Sequence, residues 1–417
     1  MRARSLAAVL LAALAAAAAA QEIQHETSAV NIEVPVRVFK AGRFVDGLTL
    51  GDFEILEDGR PQKIEAFYLV KKTIIERSEE PRGFAPRTAR HFYLIFELGD
   101  YDARVLGALD YFIKTVLLPG DNLTLVTPLK TYRMKGELLG LVGRKNTYDQ
   151  IAGLLRRDIG IGYSESREIL AEMADLARVI ASDVRSRDAV VMTDTTLVDP
   201  IMALPVESPY NAASIEVQLA NYSTLLDRLT NLRVVDQTKL LGFAEHLKSL
   251  PGQKGVFFFY QRELIPKIDP RIVDELAAKY SQRPEITQSL ETIFGLERRD
   301  VSVNVDAVTQ AYADACASIH FLHITRPAER PEGLRMEEQS EDIFAPFLEM
   351  ARVTGGYAAA TANVTEAMRA AVEASENYYL LYYTPAAYRP DGRFRNITVR
   401  VRAAGATVSH RLGYIAD

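Results

Sequence analysis

Cysteine is almost absent. Cys316 is the single thiol in 417 residues, so the chain cannot close an internal disulfide even in an oxidising compartment. It sits in "YADACASIHFLHI", just ahead of an apolar run, where a buried and inert thiol is the expectation. Clustered positive charge is absent too. There are 49 Lys and Arg against 55 Asp and Glu, a formal net charge of -6, and no long basic run. Phosphate backbones need clustered cations, so nucleic acid is excluded as an expected partner. After the first twenty residues, no apolar run is long enough to cross a bilayer. The rest of the composition, 48% hydrophobic and 25% charged, is that of a globular chain with length for one large core and a smaller one.

The usual catalytic signatures are missing as well. No G-x-S-x-G occurs, so no nucleophile elbow is indicated. "GIGYSE" from Gly160 lacks the third glycine of a dinucleotide fingerprint and follows a helix pattern, not a strand. "PGQKG" carries Gly and Lys but precedes its strand, where a phosphate loop follows one. His320 and His323 lie three apart in a strand pattern and so face opposite sides. His25, His91, His246 and His410 are scattered. No catalytic residue, cofactor or complete metal-ligand set is expected.

What is present begins with a leader. Arg2 and Arg4 precede Leu6–Leu14, and an alanine run leads to Gln21. A basic segment, a short apolar core and small residues read as a secretory signal over 1–20. The mature chain is expected to be exported, to the periplasm or outside the cell, with no membrane span.

Residues 28–70 read as β structure. Ile32, Val34, Val36 and Val38 alternate with polar neighbours, and Asp58-Gly59 between apolar runs favours a hairpin. Residues 71–90 are charged, Pro-bearing and aperiodic, which reads as a linker. From 91 to 375 buried strands alternate with helices. The strong strands are Phe92–Phe96, "NLTLV", Val256–Tyr260 and "SIHFLHI". This alternation predicts an α/β class, a doubly wound and mostly parallel sheet. A helical insertion is expected over about 164–250. Ser186 to about Tyr210 could hold a short strand but reads better as an interruption between helices, since helical periodicity resumes after it. Residues 376–417 are β again, with Ile397, Val399 and Val401 alternating against Arg400 and Arg402. The two β ends are expected to pack together as one small β domain.

One stretch draws the eye. In "FYLIFELGDYDAR" five apolar residues, Phe92 to Phe96, stop at Glu97, and Asp100 and Asp102 follow. Ligand sites in α/β proteins lie at the C-terminal ends of such strands. Together with "VNIEVPVRVFKAGRFVDGLTLGDFEILEDGRPQKIEAF", "LLPGDNLTLVT", "LKSLPGQKGVFFF", "MARVTGGYAAATANVTEAMRAAVEASENYYLLYYTP" and "DGRFRNITVRV", it carries a resemblance. The chain resembles the secreted von Willebrand factor A-related proteins of the acidobacterial type, over nearly its whole mature length. The resemblance implies an A-type domain with strand order 3-2-1-4-5-6. It also implies a binding or adhesion module and not an enzyme. Such domains carry a metal-ion-dependent adhesion site, D-x-S-x-S at the end of the first strand. Here the equivalent positions are Glu97, Gly99 and Tyr101. The acid is one methylene longer, Gly99 has no side-chain oxygen, and Tyr101 offers a neutral phenol. The second site loop is matched by "GIGYSES" with Ser164, and the third by Tyr260, Gln261, Arg262 and Glu263.

Three readings of this degenerate site compete. The Arg262 guanidinium stands in for the lost cation between Glu97 and Asp100. These residues are simply solvated loop charges. Or a divalent metal is retained by Glu97, Asp100, Asp102 and Ser164, although a hard cation wants more converging oxygens. The leading functional expectation is an exported, metal-independent protein-interaction or adhesion module with a protein partner of unidentified kind. The alternatives are a cation-dependent adhesion protein with an altered site and, third, an envelope hydrolase using the acids near Glu97. The insertion is expected to protrude over the old metal site or to pack along the domain's side.

Overall fold

The computed structural model describes residues 30–79, 84, 86–137, 142–185, 213–232, 235–297, 303–327, 334–338 and 341–417. The expected leader at 1–20 and the ambiguous stretch from Ser186 to Tyr210 lie outside the described residues. Among the described residues no helix is long and apolar enough to cross a membrane.

The first segment forms β1 (Ile32–Lys40) and β2 (Arg43–Phe44), then the hairpin β3 (Phe53–Glu57) and β4 (Arg60–Gln62), then β5 (Ile64–Lys71) and β6 (Ile74–Glu79). Val34, Val36 and Val38 on β1 are fully buried, as strand alternation requires. Asp58 and Gly59 both take positive φ, 47° and 78°, the backbone of a two-residue hairpin turn. The expected linker at 71–90 is corrected over its first part: Lys72 takes φ 56°, and the chain folds back as β6, antiparallel to β5.

The chain then runs β7 (Arg90–Glu97), α1 (Arg104–Tyr111) with a π turn over Phe112–Val116, β8 (Asn122–Val126), β9 (Thr131–Met134), α2 (Arg144–Gly162) and α3 (Ser164–Arg185). It continues through α4 (Ile215–Leu232), α5 (Gln237–Ser249), β10 (Gln253–Gln261), β11 (Leu264–Ile268), α6 (Pro270–Lys279), α7 (Pro284–Glu297) and α8 (Val305–Asp314). Next come β12 (Ser318–Ile324), β13 (Leu334–Glu338), α9 (Glu341–Val353), β14 (Ala358–Thr361) and α10 (Val364–Glu376). Last are β15 (Asn377–Tyr383), β16 (Phe394–Val401), β17 (Thr407–His410) and β18 (Gly413–Ile415).

The central sheet has the order β14-β12-β10-β7-β8-β9. Phe92, Leu94 and Phe96 of β7 join one core with α1, α2 and α10. Tyr93 joins a second core with α5, α8 and α9 on the other face. The remaining sheets are β17-β1-β15-β5-β6 with β2 paired to β1, then β18-β16-β3-β4, and the ribbon β11-β13. β1 pairs with β15 over Ile32–Val36 and β3 with β16, so strands from both ends of the chain share one core. Tyr379 fills its middle, ringed by Phe44, Phe53 and Phe67.

The expected fold class is overturned. The chain is mixed α/β, not a doubly wound, mostly parallel sheet with a small β appendage. The central sheet is itself mixed, since β8 and β9 are antiparallel. Only Thr127–Lys130 joins them, too short a link for a crossover, and Thr127 closes the turn by donating to the Lys130 carbonyl. The other three sheets, of six, four and two strands, are antiparallel throughout. Strand–helix alternation read along the chain counts connections, and it missed short hairpins and pairings between distant segments. The insertion also divides. α5 packs on the central sheet, whereas α3 and α4 form a separate core with β11, α6 and α7.

Candidate functional site

β7 is apolar on both faces because helices cover both. Its parity sets the site. Odd-numbered Tyr93 and Ile95 point to the α5 face, and Glu97 follows them as the sheet ends. β10 runs parallel beside it, with Val256 opposite Tyr93, Phe258 opposite Ile95 and Tyr260 opposite Glu97. Above this patch of sheet lie α3 and α4, whose apolar faces are mostly spent on each other. The two cores do not close against one another. A cleft of about 690 Å³ remains between them, walled by the sheet residues, by Leu170, Ala171 and Ala174 of α3, and by Leu240 and Phe243 of α5. Ala171 and Ala174 are short side chains at one helical spacing, and they leave the space open.

Polar groups gather where the strands end. Glu97 Oε1 accepts a hydrogen bond from the Tyr163 hydroxyl, at the junction of α2 and α3. Burial pushes the Glu97 carboxyl above its ordinary range, the Tyr163 bond opposes this, and nearby Glu263 adds to the rise. The Tyr163 phenol is driven up as well, by burial first and then by the Glu97 charge. Asp100 donates its backbone N–H to Gln261 Oε1 at 2.9 Å, and its Oδ1 accepts from the Tyr101 N–H at 2.8 Å. Two guanidiniums face the same carboxylate, Arg167 Nη1 at 3.4 Å and Arg326 Nη2 at 3.8 Å. Asp102 is bound by Arg104 through Nη2 at 2.6 Å and Nε at 3.0 Å. Burial alone would raise Asp102, but the Arg104 bonds outweigh it and hold the carboxyl below its ordinary value.

The structure therefore brings Glu97, Gly99, Asp100, Tyr260, Arg262 and Glu263 to one cleft and turns Tyr101 and Ser164 away from it. Ser164 donates to the Ile161 carbonyl at 2.8 Å and caps the helix junction instead of facing an ion. Tyr101 packs against the opposite core under the Arg156 guanidinium, 5.3 Å from the ring centre. Arg262 does not take the cation's place. Its Nε binds Glu338 Oε2 at 2.5 Å and its Nη1 donates to the Arg326 carbonyl at 2.9 Å. Among the described residues no ion pair links it to Glu97 or Asp100. The guanidiniums at Asp100 are Arg167 and Arg326, which sequence reasoning missed. One signal was available for Arg167: it heads the stripe Arg167, Leu170, Ala171, Ala174 at helical spacing, a cation at the end of an apolar face. Among the described residues no three His, Cys, Asp or Glu side chains converge in a way that could hold a metal ion.

No protein-family model matches the chain, and no curated protein matches it. Among solved structures it is similar to the human COPII-coat protein Sec24c, at 7% identity and a TM-score of 0.29, over 80% of this chain and 44% of that one. The chain thus spans less than half the length of that protein, and a likeness this distant carries no structural conclusion.

Proposed function

We propose that the chain is an exported, non-enzymatic binding protein whose site is the cleft at the ends of β7 and β10, and that it works without a divalent cation. One observation carries this reading: every acid expected at a metal site already has a partner in the protein. Glu97 is held by Tyr163, Asp100 lies between Arg167 and Arg326, and Asp102 is clamped by Arg104. A hard cation requires six to eight converging oxygens, and guanidiniums beside those oxygens oppose its entry. The hydrogen bonds of the cleft join acids to phenols and guanidiniums, which suits binding better than general base or nucleophilic chemistry. A cleft of this volume at the C-terminal ends of sheet strands is where binding sites concentrate. Export belongs to the proposal through the leader-like residues 1–20.

Calorimetric titration with magnesium, calcium and manganese tests it. The expected outcome is no saturable heat. Saturable heat lost in Glu97→Gln or Asp100→Asn would replace this reading with the cation-dependent one. Hydrolytic turnover abolished by Glu97→Gln would make the chain an enzyme.

A further inference from the structure

We propose that the cleft binds a small amphiphile: an apolar body ending in a single carboxylate. The inference rests on the reading that this cleft is the binding site, and it adds the ligand's chemistry. The apolar half follows from the walls. Phe258, Phe243, Leu170 and Leu240 line a space of about 690 Å³ that no side chain among the described residues fills. An apolar cavity forfeits dispersion contacts on every wall and destabilises the fold in proportion to its volume. An apolar ligand restores those contacts, whereas water has few polar partners there.

The anionic half follows from the mouth. The cleft's charged groups sit at one end. Glu97, Asp100 and Glu263 follow strand ends, and α5 runs back toward the start of β10, which places Asp236 and Lys239 at the same end. Asp236 and Lys239 pair with each other at 3.4 Å, Arg262 is spent on Glu338, and Tyr260 donates to Glu263. At Asp100 the balance differs. One half-exposed carboxylate serves two guanidiniums, at 3.4 and 3.8 Å. Arg167 Nη1 donates to Asp100 and its Nη2 to the Gly160 carbonyl, whereas Arg326 lies beyond hydrogen-bond distance of that carboxylate, so N–H donors on Arg326 and on the rest of the Arg167 fork remain for a second carboxylate. An Arg presents a planar fork suited to that group. An ammonium head is disfavoured beside these two cations, and the acids it would otherwise meet, Glu97 and Glu263, already accept from Tyr163 and Tyr260.

The probe is 11-(dansylamino)undecanoic acid titrated into the mature chain, with decanoate, decanol and decylamine as competitors. The expected result is saturable one-to-one binding. Decanoate should displace the probe at least about tenfold better than decanol, and decylamine should not displace it. Ala174→Phe, which fills the apolar wall, should abolish binding. Arg167→Gln with Arg326→Gln should weaken decanoate about tenfold, or 1.4 kcal/mol, and leave decanol unchanged. If Ala174→Phe fails to fold, the arginine pair still decides the matter. No saturable binding, or equal competition by decanol and decanoate, would overturn the proposal. Such a failure with metals silent leaves the metal-free binding protein standing. Saturable metal heat with probe binding intact does the reverse.

Discussion

Tyr163→Phe deletes one oxygen and asks whether Glu97 is a buried acid held by a single phenol. In the native chain the Tyr163 hydroxyl donates to Glu97. Burial raises the Glu97 carboxyl above its ordinary range despite that bond. The unfolded chain therefore releases the Glu97 proton at a lower pH than the folded one. Between those two values the native state binds more protons, so stability falls as pH rises through the window and is level above it. A hydrogen bond to a charged group contributes about 1.5–3 kcal/mol, and one between neutral groups about 0.5–1.5 kcal/mol. The phenyl ring keeps its packing, so the hydrogen bond is the whole difference. The expected loss is about 1 kcal/mol below that window, where Glu97 is protonated, growing to about 2–3 kcal/mol above it, where Glu97 is ionised. Urea unfolding followed by circular dichroism measures it as a midpoint shift at constant slope. Glu97→Gln is the matched control: it cannot ionise, so its stability relative to the native chain should rise with pH. A Tyr163→Phe loss that does not change with pH across the range in which Glu97→Gln shows the native carboxyl titrating would refute the ionising bond and, with it, this account of why Glu97 is closed to a cation.

Three further outcomes are expected. Arg90 and Asp121 form a bidentate pair at 2.6 and 2.9 Å, each side chain 3% exposed. Asp121→Ala leaves a buried guanidinium and should cost about 3–5 kcal/mol in urea unfolding, whereas Arg90→Met with Asp121→Leu should recover most of it. At Gly356 a Cβ would lie 1.8 Å from the Ile319 carbonyl oxygen, so Gly356→Ala should lower stability by about 3 kcal/mol. Gly153→Ala, in open space within α2, should raise it by about 0.5–1 kcal/mol, and thermal melts of the two variants should move in opposite directions. His320 is pushed down to about 3 by burial and then by the Arg37 charge. The unfolded chain takes up that proton first as pH falls, so native stability should drop by about 1.4 kcal/mol per unit below pH 6.5. His320→Gln should flatten that slope in urea midpoints taken at pH 6.5, 5.5 and 4.5.

Local pattern made some of this molecule legible and long-range geometry hid the rest. β1 and β7 announce themselves, one by strict alternation and the other by an unbroken apolar run, because each pattern reports which faces are covered. The ribbon β11-β13 does not. Its strands are short, one contains Pro266, and they meet from segments far apart in the chain. That omission is what misplaced Arg262. Neighbouring strands were enough to put residue 262 in the same cleft as Glu97, but its guanidinium turns to Glu338 and the Arg326 carbonyl instead. Glu338, delivered by the unforeseen ribbon, then captures it. The same logic explains Asp100. Its arginines come from α3 and from the end of β12, and no spacing in the sequence couples those positions to a loop after β7. Guanidiniums do stand beside Asp100, but they are Arg167 and Arg326 and not the expected Arg262. Which cation reaches a given carboxylate is set by reach and desolvation, and both are properties of the folded chain, so no local pattern could single out Arg167 and Arg326.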